Sequence, residues 1–230
     1  MEEMKNMTAE RSLEIITEQI EQSRRTVSKR TGQSLFVSGL CTMGMAIVVA
    51  IVNLLLINAG FTPLAHLLWF VLPVIIWLAL RNVNRRSEPA PMTLISSLVG
   101  KTWWTFAVFV LGFFLTALLW NKILIATVSD PLAYLSHRVS ITPIIILLMG
   151  MAVTMTGHIL KSKWLVWFGI IAGLLVSVGD YASFGSMLLA RMGASVMTVG
   201  QAQFLFPCMS VFLFALVGLM LPGLMLKKQK

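Results

Sequence analysis

Asp180 is the one acidic side chain placed within an otherwise apolar run, Trp164 to Tyr181. A carboxylate at membrane depth is costly and marks a functional site by default, as a proton or cation ligand or as half of an ion pair. Lys163 stands at the start of that run, and each helical residue rises about 1.5 Å, so Asp180 falls near the far boundary of a bilayer. Two readings follow. One is an interfacial carboxylate paired with Arg191 or Arg138. The other is a proton or cation site at the outer end of a polar pocket, with Asp180 and Arg191 as its candidate polar residues. Gly169 and Gly173 form a GxxxG, and Ser177 extends the same face by one turn. Small residues at this spacing let a neighbouring backbone approach closely, inside the monomer or across a dimer. Asp180, three residues on, lies on roughly that face and points toward protein.

Other chemistry-bearing residues do not assemble into motifs. His66, His137 and His158 are isolated and fall at different expected depths, where a haem or zinc site needs ligands together. Cys41 and Cys208 sit in separate apolar runs and form no CxxC. Gly100-Lys101-Thr102 resembles the end of a phosphate-binding loop, but Ile95 occupies the position where that loop needs its first glycine. No serine–histidine–acid, HExxH or paired-carboxylate pattern occurs at a plausible depth. The expectation is a non-enzymatic protein with no catalytic residues, cofactor or metal.

The elements that position these residues are hydrophobic spans. The chain is 57% hydrophobic and 12% charged, against about half and a quarter in soluble domains, so the excess must face lipid. The net charge of +9 resides in loops between apolar runs, which argues for topology and against nucleic acid. The sequence predicts an all-α membrane protein with spans at about 35–57, 64–80, 102–120, 142–160, 164–181 and 203–226, and a basic tail at 227–230. Pro73 predicts a kink in the second span, and Met92 to Val99 a short surface helix before the third. Residues 182–202, rich in Gly, Ser and Ala, read as a re-entrant or interfacial helix.

Residues 1–34 are polar, with no cleavable signal peptide, and predict an amphipathic helix outside the membrane. Thr8 caps it, Glu10, Glu14, Glu18 and Glu21 come first, and Arg24, Arg25, Lys29 and Arg30 come last, complementing the helix dipole. Leu13, Ile16, Ile20 and Val27 make a narrow apolar stripe. It either lies on the membrane surface and anchors the first span, or docks a cytoplasmic partner or a second copy of the chain. Of the 18 lysines and arginines, 15 fall on the side of the two termini, the loop from Arg81 to Lys101 and the Lys161-Ser162-Lys163 break, and 3 fall opposite. The basic side is cytoplasmic, so both ends lie inside, as six spans require.

The stretches SLEIITEQIEQSRRTVSKRTGQSLFVSGLCTMG and TGHILKSKWLVWFGIIAGLL, with the terminal LPGLMLKK, resemble a family of uncharacterised small bacterial six-span inner-membrane proteins. The matching positions are Thr156, Gly157, Leu160 and Lys161 at the turn between the fourth and fifth spans, and Pro222 and Gly223 before the tail. This resemblance implies a bacterial inner-membrane location and the six-span fold, and it adds no site. In architecture alone the chain is similar to permease subunits of ABC-2 type exporters, whose corresponding elements would be residues 10–30, 81–101 and 182–202. The expected function is a regulatory or scaffold subunit engaging a cytoplasmic partner through the N-terminal helix. The alternative is an exporter permease subunit needing a separate ATPase.

Overall fold

The computed structural model describes residues 9–59, 64–85, 93–127, 140–181, 191 and 196–228. All secondary structure in these residues is helical. In chain order the elements are α1 (Ala9–Asn58), a 3-10 segment (Leu64–Phe70), α2 (Leu72–Arg85), α3 (Leu94–Thr127), α4 (Thr142–Leu160), α5 (Lys163–Tyr181), α6 (Val196–Phe214), a π segment (Ala215–Met220) and α7 (Leu221–Lys228). Five stretches are long and apolar enough to cross a membrane: Arg11–Asn58, Leu94–Thr127, Thr142–Leu160, Lys163–Asp180 and Leu205–Lys227; Leu67–Val83 is apolar but shorter. Their large side chains face outward in numbers that water would not tolerate, Leu55, Phe109, Leu119 and Leu175 among them, so the solvent these helices fit is lipid.

Residues 34 and 35, where the expected extramembrane helix meets the first span, lie within one continuous helix. Polar and apolar halves form one 50-residue helix, about 75 Å long at 1.5 Å per residue. The change at Leu35 is one of solvent, and nothing there stops the backbone ladder. The third span and its expected surface helix likewise merge into the 34 residues of α3. Thr93 and Ser96 start it: each side-chain oxygen accepts from the other's backbone N–H at 3.3 Å, a reciprocal cap. Pro73 sits in the first turn of α2, directly after the backbone changes from 3-10 to α-helix at Val71, where its missing N–H costs little. The 3-10 segment precedes it, and Phe70 meets Phe114 of α3 edge-on at 4.9 Å between ring centres. The segment 182–202 lies largely outside the described residues.

α4 and α5 pack closely against each other. Lys161 closes α4 in the left-handed conformation (φ 54°), with Ser162 N–H donating to Gly157 O at 2.9 Å and Lys161 N–H to His158 O at 3.1 Å. The basic break is thus a helix-terminating turn that reverses the chain within three residues. α1 packs against the end of the chain. Gly32 lies against Gly223 and Leu226, and Gly39 against Leu219 and Met220, so α1 and the last helical stretch run antiparallel. The π segment has a local cause. Pro222 cannot donate to the carbonyl four residues back, and Leu221 N–H shifts to Leu216 O, five back, which accommodates the interruption.

The main core joins Val27 and Leu35 of α1, Ile146, Val153 and Leu160 of α4, Leu165 and Ala172 of α5, and Phe214, Leu219 and Leu226 at the end of the chain. A second cluster holds Met45 and Val49 of α1 with Ala65 and Cys208.

Candidate functional site

Three features comprise the candidate site residues: a carboxylate near the end of α5, a glycine face between α4 and α5, and an apolar stripe on α1.

Asp180 is half-buried on α5. Its Oδ1 accepts a hydrogen bond of 2.8 Å from the Ser210 hydroxyl of α6. A charge-assisted bond of this kind is about twice as strong as a neutral one, and it ties the far ends of two spans together. Arg191 is exposed, and the one ion pair among the described residues is Arg25 with Glu21 at 3.9 Å, on the exposed part of α1. The partner of Asp180 is therefore a hydroxyl, in place of the guanidinium of Arg191 that the charges suggest. Arg138 lies outside the described residues, as does His137. Chemically, a carboxylate with one hydroxyl can hold a proton or contribute to a small-cation site. Among the described residues no three His, Cys, Asp or Glu side chains come together as a metal site would need.

Ser210 has no sequence signature, because serine in an apolar run is equally at home in packing. Asn53 also escaped the sequence reading. It is fully buried in the apolar run of α1, beside Val49 at the second cluster, and a lone amide among Val, Ile and Leu was the available signal.

The glycine face is built on one register. A Cβ placed on Gly150 would lie 2.6 Å from Gly173 Cα and 2.9 Å from Gly169 O. A Cβ on Gly169 would lie 2.8 Å from Thr154 N, and one on Gly157 would lie 2.7 Å from Val166 N. Steps of four and three along α4 (150, 154, 157) meet the same steps reversed along α5 (173, 169, 166), the ordinary spacing of two antiparallel helices in contact. Ser177, buried, continues the face: its hydroxyl donates to Pro143 O at 2.7 Å. Gly169, Gly173 and Ser177 are thus occupied by a neighbour within the chain.

The stripe on α1 divides. Val27 is 6% exposed and belongs to the main core with Leu226, whereas Leu13, Ile16 and Ile20 are 64%, 52% and 48% exposed. The stripe is buried at Val27, which joins the main core, and is exposed at Leu13, Ile16 and Ile20.

No family model matches the chain, and no curated protein or solved structure matches it.

Proposed function

We propose that the protein is a non-enzymatic, six-span integral protein of a bacterial inner membrane, a regulatory or scaffold subunit that engages a cytoplasmic partner through the N-terminal part of α1. The observation that carries this reading is the exposure of Leu13, Ile16 and Ile20 on a helix continuous with the first span. A bilayer core accommodates only about 30 Å of the roughly 75 Å of α1, so this part stands outside it. Apolar side chains held there by a helix that also packs in the core are poised for a partner without further ordering cost. Six crossings are supported by adding the 3-10 segment and α2 to the five long stretches. At about 2.0 and 1.5 Å per residue the two together reach roughly 35 Å. An even count agrees with the antiparallel packing of α1 on α7, which brings the first span's start and the last span's end to one side. The 15-to-3 charge distribution makes that side cytoplasmic.

The test is a photo-crosslinking residue at Ile16 in whole cells, alongside a chain carrying Leu13→Ser, Ile16→Ser and Ile20→Ser. A discrete cytoplasmic protein adduct is expected, lost in the triple variant while membrane insertion is kept. Adducts to lipid alone, or none together with unchanged protease sensitivity of the segment, would refute the reading.

A further inference from the structure

The end of α2 carries a different feature. Trp77, Arg81 and Arg85 follow one another at intervals of four, so they form a column on one helix face. Side chains in a helix lean toward its N-terminus, which turns the Arg81 guanidinium back along α2. It rests over the Trp77 ring, 5.3 Å from the ring centre. Stacking uses the flat face of the guanidinium and leaves its edge N–H groups free to donate in plane. Trp77, Leu80, Arg81 and Arg85 line a shallow groove open to the surface.

Two guanidinium groups one turn apart repel each other unless an anion lies between them. Both Arg81 and Arg85 are exposed, and neither is ion-paired with a described residue. Their charge and their N–H donors are complementary to an oxyanion, and a phosphate can accept from two arginines. The same face supplies the second half of the specification. Val74, Trp77 and Leu78 are 54%, 58% and 52% exposed, and they continue the column away from the arginines toward the apolar body of the helix. A ligand filling both parts has a phosphate at one end and an aliphatic chain at the other.

We propose that Trp77, Arg81 and Arg85 bind the phosphate of an anionic phospholipid whose acyl chain lies along Val74 and Leu78. This rests on the bundle being membrane-spanning and is independent of any partner of the N-terminal helix. In the orientation above, the site lies at the cytoplasmic leaflet, where basic clusters beside spans attract anionic lipid. It would hold α2, which is shorter and more exposed than the other spans, at a fixed depth.

The full chain is reconstituted in nanodiscs of equal phosphatidylglycerol and phosphatidylcholine, and retained lipid is counted by native mass spectrometry. Phosphatidylglycerol is expected to be retained in preference. Each arginine near an anionic surface contributes roughly a fivefold preference, so Arg81→Gln with Arg85→Gln should lower the enrichment by up to about 25-fold, and Arg85→Gln alone by about fivefold. Arg85→Gln alone, at the last residue of α2, gives a smaller fall in the same direction if the pair fails to fold. Lys161→Gln with Lys163→Gln, exposed at the turn between α4 and α5, should lower enrichment by clearly less than the arginine pair does, because these lysines add only general surface charge. No preference in the unaltered chain, or an equal fall in the lysine pair, overturns the site. Full displacement of phosphatidylglycerol by inorganic phosphate overturns the lipid as its occupant.

Discussion

Among the described glycines, a Cβ added at Gly150 would come nearest to backbone, at Gly173, and this gives the sharpest test of the fold. Gly150→Ala places a methyl 2.6 Å from Gly173 Cα and 2.9 Å from Gly169 O, where ordinary contacts begin at 3.4 Å. The obstacle is backbone on both counts, so no side chain can swing aside and α4 must move from α5 by nearly 1 Å at this level. Overpacking of this kind costs about 1–3 kcal/mol. Alanine returns up to about 1 kcal/mol through its lower backbone entropy in a helix. With backbone as the obstacle on both counts the upper part of that cost applies, about 2–3 kcal/mol, and the net loss is about 1–2 kcal/mol. At roughly 2–4 °C per kcal/mol for a chain of this size, the melting midpoint falls by about 2–8 °C. Gly112→Ala, within α3, is the internal control, since a Cβ there meets nothing within 4 Å and only the entropic gain remains. Its midpoint should be unchanged or slightly raised.

The measurement is thermal melting of the detergent-solubilised chain, followed by helical circular dichroism and by size-exclusion elution. Gly173→Ala meets the same contact from the other side, at 2.9 Å from Gly150 Cα. Once one methyl has parted the helices the second adds little, so Gly150→Ala and Gly173→Ala together should cost less than the sum of the two. A wild-type midpoint for Gly150→Ala, or fully additive losses for the pair, would refute the register.

Two further expectations concern topology and the carboxylate. Reporter fusions after Lys101, Lys163 and Lys230 should give cytoplasmic signals and those near Gly60, Pro131 and Met192 the opposite; a far-side signal at Lys163 would break the six-span scheme. For Asp180, a double-mutant cycle of Asp180→Asn with Ser210→Ala should show coupling of about 1 kcal/mol, because the 2.8 Å bond loses its charge assistance in the first and its donor in the second. The cycle of Asp180→Asn with exposed Arg191→Gln should be additive, and coupling as large as that with Ser210 would show that the arginine is the true partner.

What could be read from the sequence follows from how local each determinant is. The α4 and α5 boundaries agree with the expected 142–160 and 164–181 to within a residue, because proline at one end and charge at the turn act on the backbone where they stand. The expected boundary at Leu35 and the one at Thr102 were changes of solvent, and a helix passes through both, since neither carries a residue that stops hydrogen bonding. Thr93 and Ser96 are the readable start of α3, in a segment whose sequence predicts a separate surface helix. The site divides in the same way. Asp180 could be singled out by its own type, but Ser210 lies 30 positions away, and their contact depends on how α5 meets α6. The GxxxG at Gly169 marked a face suited to close approach, and only the α4–α5 register names Gly150 as the group that occupies it. The α1 stripe makes the point from the other direction. Leu13, Ile16, Ile20 and Val27 are alike in spacing and type, yet the bundle core buries the last and not the first three. Periodicity identifies which residues share a face of a helix; whether that face is core, lipid contact or docking surface is decided by elements the periodicity does not contain.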